Sequence, residues 1–223
     1  MNHKILAFIF DLDGIIVNTT NYHYLSWKKL SQSFNFNFRE KDNELLKGAN
    51  RTTSLNILLK LAGLELTPSE KNFLLEKKNE IYLDLIKHMT VNDTLPGVIN
   101  FIEKAKSNTL KTGLASSSKN AIATVRRLHI DVLFDKMLDA NTVIKGKPDP
   151  KVYREIAKSL QVETNHCVVF EDAANGIEAA RKAGMWVVGM GAPEQIKDAH
   201  MTISSFLDVE PKDIIDFFRN SGL

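Results

Sequence analysis

Cysteine is nearly missing from this chain, with Cys167 the only one among 223 residues. An internal disulfide and a CxxC metal or redox pair are thereby excluded, and a reducing compartment is the natural setting. Cys167 opens the apolar run Cys167-Val168-Val169-Phe170, where a buried, inert thiol is the plain reading. Blocks of one charge are also missing. Lys and Arg total 29 against 27 Asp and Glu, a net charge of +2, and the basic residues are spread along the chain. Such a balance suits a small anionic substrate and gives no footprint for nucleic acid. Long apolar runs are absent as well: Ile5 to Phe10 is cut off by Asp11 and Asp13, far short of a signal peptide or a membrane span. Neither export nor membrane attachment is expected, so the cytoplasm is the default. There is no internal repeat and no low-complexity segment. What remains, 43% hydrophobic and 25% charged, is an ordinary globular composition, long enough for an α/β core with a smaller insert.

Ile5 to Phe10 reads as a strand covered on both faces and ended by an acidic turn. Further buried strands are predicted at Thr112 to Ala115, Cys167 to Phe170 and Trp186 to Met190, with weaker ones at Lys136 to Leu138 and Met201 to Ile203. Helical stretches at Val98 to Lys106, Asn120 to Leu128, Lys151 to Leu160 and Ala173 to Ala183 alternate with them, and Pro211 to Leu223 looks like a closing helix. The alternation predicts a doubly wound parallel sheet with helices on both faces, with ligands expected at the carboxyl ends of the strands. Thr19 to Met89 breaks the pattern, because only helical spacing is found there, as in Leu55, Leu58, Leu59 and Ala62. A helical cap over 19–90, inserted after the first strand into a core formed by 1–18 and 91–223, is therefore expected to act as a lid.

Four segments carry chemistry, each at the end of a predicted strand. Asp11-Leu12-Asp13-Gly14 sets two carboxylates one residue apart, where they can share a hard cation such as Mg²⁺; a surface turn has the same look. Ala115-Ser116-Ser117-Ser118-Lys119-Asn120 offers hydroxyls and free N–H groups at a helix start for phosphate oxygens, although Ser118 can also be read as a simple cap. In Gly146-Lys147-Pro148-Asp149-Pro150 the prolines stiffen the loop that presents Lys147, against the common case of a solvated loop lysine. Glu171-Asp172 follows a strand and precedes a helix, a place where acids also occur for dipole reasons alone. The coincidence of all four at one sheet edge favours phosphoryl transfer.

In this order and spacing the segments resemble the haloacid dehalogenase superfamily of phosphotransferases, along essentially the whole chain. The resemblance implies that Asp11 is the nucleophile and Asp13 the general acid/base, with Ser116 and Lys147 holding the transferring phosphoryl group. It also implies Mg²⁺ held by Asp11, the backbone carbonyl of Asp13 and Asp172, with Glu171 in support. The physical logic agrees, since a carboxylate attacks phosphorus only where the charges of both are offset.

The insert resembles the lid of the β-phosphoglucomutase subgroup. Thr19, Tyr22-His23 and Trp27-Lys28 look like its first helix, whose histidine couples to the acid/base. Gly48, Arg51 and Ser54 look like the loop that grips the phosphate not being transferred, and Lys78-Asn79 with Tyr82 like the segment that supplies a lysine. Taken singly, His23 and Arg51 are more often surface residues and Trp27 more often core. Together with Ser118, Lys119 and Asn120 they imply a substrate with two anionic ends. The implied reaction converts β-glucose 1-phosphate into glucose 6-phosphate through a bound β-glucose 1,6-bisphosphate, in a monomer without nucleic-acid or membrane partners. Hydrolysis of a small sugar phosphate is the alternative. Two departures stand out: Asn18 replaces a frequent aspartate, affecting hinge hydrogen bonding, and Ala49-Asn50 replaces Val-Ser on the sugar-facing rim. A dinucleotide site could rest only on Gly189-Met190-Gly191, which lacks a third glycine.

Overall fold

The computed structural model describes residues 4–46, 49–143 and 145–220. The chain divides into two compact units, one of Met1–Asn18 with Thr90–Leu223 and one of Thr19–Met89. Thr90 falls in the first unit, where its hydroxyl accepts the Asn92 N–H and caps a short 3₁₀ turn.

In chain order the elements are β1 (Ala7–Phe10), α1 (Thr20–Gln32), α2 (Glu40–Asn43), α3 (Arg51–Leu61), α4 (Pro68–Ile86), α5 (Val98–Ser107), β2 (Lys111–Ala115), α6 (Ala121–Arg127), β3 (Lys136–Leu138), α7 (Lys151–Leu160), β4 (Cys167–Glu171), α8 (Ala174–Lys182), β5 (Trp186–Gly189), α9 (Pro193–Ile196), β6 (Met201–Thr202) and α10 (Pro211–Asn220). The strands form one sheet in the order β3-β2-β1-β4-β5-β6, and every pairing is parallel. No helix among the described residues is long and apolar enough to cross a membrane.

The sequence Ala-Phe-Ile-Phe of β1 explains why it lies in the middle. Successive side chains point to opposite faces, so Phe8 and Phe10 join Phe101, Phe170 and Phe206 on one side, while Ala7 and Ile9 join Tyr153, Ile156 and Val169 on the other. All four β1 residues are fully buried. The strand order reverses direction about β1, with β2 on one flank and β4 on the other, which makes its carboxyl end the expected ligand position. Gly189 serves packing and not phosphate binding: a Cβ there would sit 2.8 Å from Ile196 Cβ and 2.9 Å from Ala199 Cβ.

The helical unit packs Trp27, Leu30, Leu55, Leu58, Leu59 and Leu74 into a core of its own. Leu55, Leu58 and Leu59 are buried as their spacing predicts, whereas Ala62 lies past the end of α3 and is only partly covered.

Candidate active site

Asp11 immediately follows β1, and its N–H donates to the Phe170 carbonyl, which ties it to β4. Leu12 to Val17 then form a tight loop in which the Gly14 N–H donates to the Val17 carbonyl. Gly14 has φ +81°, and a methyl group there would overlap the Asp172 carboxylate, so only glycine lets the two acidic segments approach.

Lys147 reaches this cluster from the loop after β3. Its Nζ donates to Asp11 Oδ1 at 2.7 Å, to the Ala115 carbonyl at 3.2 Å and to Glu171 Oε1. Four donors saturate the Glu171 carboxylate: Lys147 and the Tyr153 hydroxyl meet Oε1, and the N–H groups of Asp172 and Ala173 meet Oε2. Gly176 lies beside it, where a methyl group would overlap the carboxylate.

Oxygens of Asp11, Glu171 and Asp172 lie within 4.8 Å of one another. Burial pushes the Asp11 carboxyl up to about 7; Lys147 opposes the shift, and Glu171 and Asp13 add to it. Burial likewise pushes Asp172 up to about 8, with repulsion from Glu171, Asp11 and Asp13 in the same direction. Lys147 is held well above its usual range, because its two carboxylate partners outweigh the cost of burying it. One ammonium thus faces three crowded carboxylates. The residual negative charge and the all-oxygen donor set fit a hard divalent cation. Among the described residues Asp13 contributes no side-chain oxygen to that group, although its charge acts on both neighbours.

Ser116 is buried just past β2; its N–H donates to the Leu138 carbonyl, and its Oγ accepts the Ser118 N–H. Ser118 Oγ in turn accepts the Asn120 N–H, so this serine shapes a turn, while Asn120 occupies the cap position of α6. Asn141 steadies the segment by donating from Nδ2 to the Lys119 carbonyl at 2.7 Å. The core therefore gathers Asp11, Lys147, Glu171 and Asp172, with Ser116 at the neighbouring strand end.

The helical unit makes a second cluster. Lys78, 1% exposed on α4, donates to His23 Nδ1 on α1 at 2.9 Å, and its Nζ lies 5.0 Å from the Trp27 ring centroid and 4.8 Å from that of Tyr82. His23 stacks on Tyr82 at 4.4 Å. Burial and the positive charges of Lys78 and Arg51 hold the His23 imidazole well below its usual range, so it is neutral at physiological pH with the proton on Nε2. Arg51 opens α3; burial lowers its guanidinium and Tyr82 acts in the opposite direction, yet it stays cationic. Asn50 caps α3 by accepting the Thr53 N–H at 2.9 Å, the same service a serine would give, and Ser54 is buried in the first turn. Gly48, expected at this phosphate-gripping loop, lies outside the described residues.

The profile of the haloacid dehalogenase-like hydrolase family matches residues 8–190. The chain belongs to that family. A relative in Bacillus subtilis strain 168 named β-phosphoglucomutase is 40% identical over 205 residues, 91% of each chain. A Thermotoga maritima relative named phosphorylated carbohydrates phosphatase is 30% identical over 220 residues, 96% of this chain and 98% of that one. Among solved structures, a Clostridium difficile β-phosphoglucomutase superposes with a TM-score of 0.90 at 38% identity, covering 97% of this chain and 98% of its own. The protein is thus a haloacid dehalogenase-like enzyme, and the resemblance extends to the β-phosphoglucomutase subgroup.

Two residues of the site escaped the sequence reading. Tyr153 stands among Val152, Ile156, Ala157 and Leu160 on the buried face of α7, and a tyrosine there needs a partner for its hydroxyl. Gly176 sits in the first turn of α8, where alanine would be up to about 1 kcal/mol better on propensity, a sign of close approach.

Proposed function

We propose that the chain is a Mg²⁺-dependent mutase that interconverts β-glucose 1-phosphate and glucose 6-phosphate through an aspartyl-phosphate at Asp11 and a bound β-glucose 1,6-bisphosphate. The observation that carries the reading is Lys147, placed 2.7 Å from Asp11 and also bonded to Glu171 beside a group of carboxylates. Asp11 attacks phosphorus, and the bond to the departing sugar oxygen breaks while Asp13 protonates that oxygen. In the return step Asp13 removes the proton from the other sugar hydroxyl as it takes the phosphoryl group from Asp11. Lys147 neutralises the phosphoryl oxygens, and Ser116 hydrogen-bonds to them. Mg²⁺ would be held by Asp11, Asp172 and the Asp13 carbonyl, with Glu171 in support, and would supply charge neutralisation at the phosphoryl group.

A bisphosphate has a second anionic end. Arg51 and Lys78 of the helical unit offer cations for such an end, with Trp27 on α1 and Ser54 on α3, and Ser118, Lys119 and Asn120 of the core offer hydroxyl, ammonium and amide donors. Neutral His23 fits the part the resemblance gives it, coupling the state of the lid to the acid/base step. We take the helical unit to be that lid, and the enzyme to act as a cytoplasmic monomer on free sugar phosphate. The Thermotoga maritima relative's name favours a second reading, hydrolysis of a sugar phosphate, in which water accepts the phosphoryl group in place of a sugar hydroxyl.

The test is turnover of β-glucose 1-phosphate with Mg²⁺ and a trace of 1,6-bisphosphate, combined with trapping of the aspartyl-phosphate in the wild type and in Asp11→Asn. Glucose 6-phosphate should form without stoichiometric free phosphate, and Asp11→Asn should trap no phosphoryl group and lose turnover. Release of one phosphate per substrate consumed would establish the hydrolase instead.

A further inference from the structure

Tyr153 lies in the first turn of α7, the helix that follows the Lys147 loop, and outside the four segments that the sequence singles out. Its side chain is fully buried, and its hydroxyl donates to Glu171 Oε1 at 2.5 Å. Lys147, the other donor to that oxygen, has its Nζ 5.0 Å from the centroid of the Tyr153 ring. One side chain therefore touches both charged groups beside the nucleophile, the carboxylate through its hydroxyl and the ammonium through its ring face. On the far side of the carboxylate, Oε2 is fixed by two backbone N–H groups, and the missing side chain of Gly176 leaves the space it occupies.

We propose that Tyr153 is a positioning residue of the phosphoryl-transfer site, holding Glu171 and Lys147 in register with Asp11. The inference rests on the phosphoryl-transfer reading but not on which sugar is used. A buried tyrosine hydroxyl needs an acceptor in any fold, and a carbonyl of a neighbouring helix would meet that need. Here the acceptor is instead a carboxylate that is 1% exposed and already paired with the lysine. Without the hydroxyl, Oε1 keeps Lys147 alone, and the carboxylate gains freedom about its last torsion, which is broad. Lys147 is bonded to that same oxygen and to Asp11, so a turn of the carboxylate is felt at the nucleophile.

Tyr153→Phe removes one oxygen and keeps the ring. Groups that orient metal ligands change affinity by about 10–100-fold when lost, so calorimetric Mg²⁺ binding should weaken about tenfold. Acetyl phosphate reports the chemistry without a sugar: an Asp11 Oδ–P bond forms as the P–O bond to the departing acetate breaks. At saturating Mg²⁺ its maximal rate of Asp11 phosphorylation should fall about tenfold while half-saturation by the donor stays within about twofold. Ile156→Val, on the same buried face of α7 over Gly113, controls for loss of packing and should leave both readouts at wild-type values. A Tyr153→Phe chain within about twofold of wild type in both measurements would overturn the proposal, as would equal losses in Ile156→Val. Neither readout involves a sugar, so a wild type that fails to isomerise β-glucose 1-phosphate sinks the mutase reading alone, and the Tyr153 comparison still decides its own case.

Discussion

With the acidic cluster holding Mg²⁺ as proposed, removing the ion should make the stability of this enzyme fall as pH rises, the reverse of the trend for most buried, paired carboxylates. A free aspartate titrates near about 4, whereas burial and mutual repulsion move Asp11 to about 7 and Asp172 to about 8. Between those values the unfolded chain has released protons that the folded chain keeps, so stability drops across the window and the loss is complete only above about pH 8. At about 1.4 kcal/mol per pH unit, Asp11 alone sets a scale of about 4 kcal/mol. Asp172 shares the same repulsions, so the two contributions do not add in full. Lys147, held above its usual range, stays charged throughout and leaves the slope unchanged. His23 and His200 titrate low and give an opposite slope below about pH 6.5, so the metal-free curve is best read from pH 7 to 8.5. Mg²⁺ requires the deprotonated carboxylates, so the stabilisation it adds must grow with pH. Thermal unfolding in chelator and in excess Mg²⁺, at pH 6, 7 and 8.5, makes the comparison, and the difference at each pH cancels the histidines. With about 2–4 °C per kcal/mol for a chain of this size, the Mg²⁺ increment should widen by several degrees, toward about 10 °C. An increment that is flat or shrinks with pH would refute the argument that repulsion among Asp11, Glu171 and Asp172 is what the cation relieves.

Arg51→Ala should weaken use of the bisphosphate roughly a hundredfold, on the scale of a lost charge-assisted contact, and leave hydrolysis of a one-phosphate ester much less affected. Steady-state kinetics on both substrates checks this, and equal losses would contradict a two-ended site. Gly176→Ala sets two effects against each other: about 1 kcal/mol gained in helix propensity and about 1–3 kcal/mol lost to overlap with the Glu171 carboxylate. Overlap should win, giving a lower melting temperature and weaker Mg²⁺ binding; a more stable variant with unchanged Mg²⁺ affinity would show that the carboxylate moves aside at no cost.

The middle of the sheet was legible because β1, β2, β4 and β5 are largely buried and read as short apolar runs, each stopped by a polar turn. Even the weak strand at Lys136 to Leu138 was visible, though it is only three residues long, since β2 and α7 hold it in place. The acids and the lysine were legible for a different reason: each segment alone has an ordinary structural explanation, but their joint order and spacing along an alternating α/β chain have none. Tyr153 was not legible by that rule, because it lies on the aliphatic buried face of α7 and becomes polar in function only through a carboxylate 18 positions away. Gly176 likewise shows its purpose only when the Glu171 side chain is in place. The reading of Asn50 as an altered rim also changes, since its Oδ1 caps α3 as a serine would.

The two clusters carry opposite charge imbalances, and that difference bears on how mutase and hydrolase chemistry separate on one fold. In the core, Lys147 stands against Asp11, Glu171 and Asp172, an excess of negative charge that a divalent cation offsets. In the helical unit, Lys78 and Arg51 surround a neutral His23, an excess of positive charge that an anion offsets. In the proposed chemistry every transfer through Asp11 needs the first arrangement, whichever acceptor follows. Only a substrate that keeps one phosphate while losing the other has use for the second. The residues that distinguish the two reactions are therefore expected on α1, α3 and α4, among His23, Arg51 and Lys78, and not in the acidic segments that define the family.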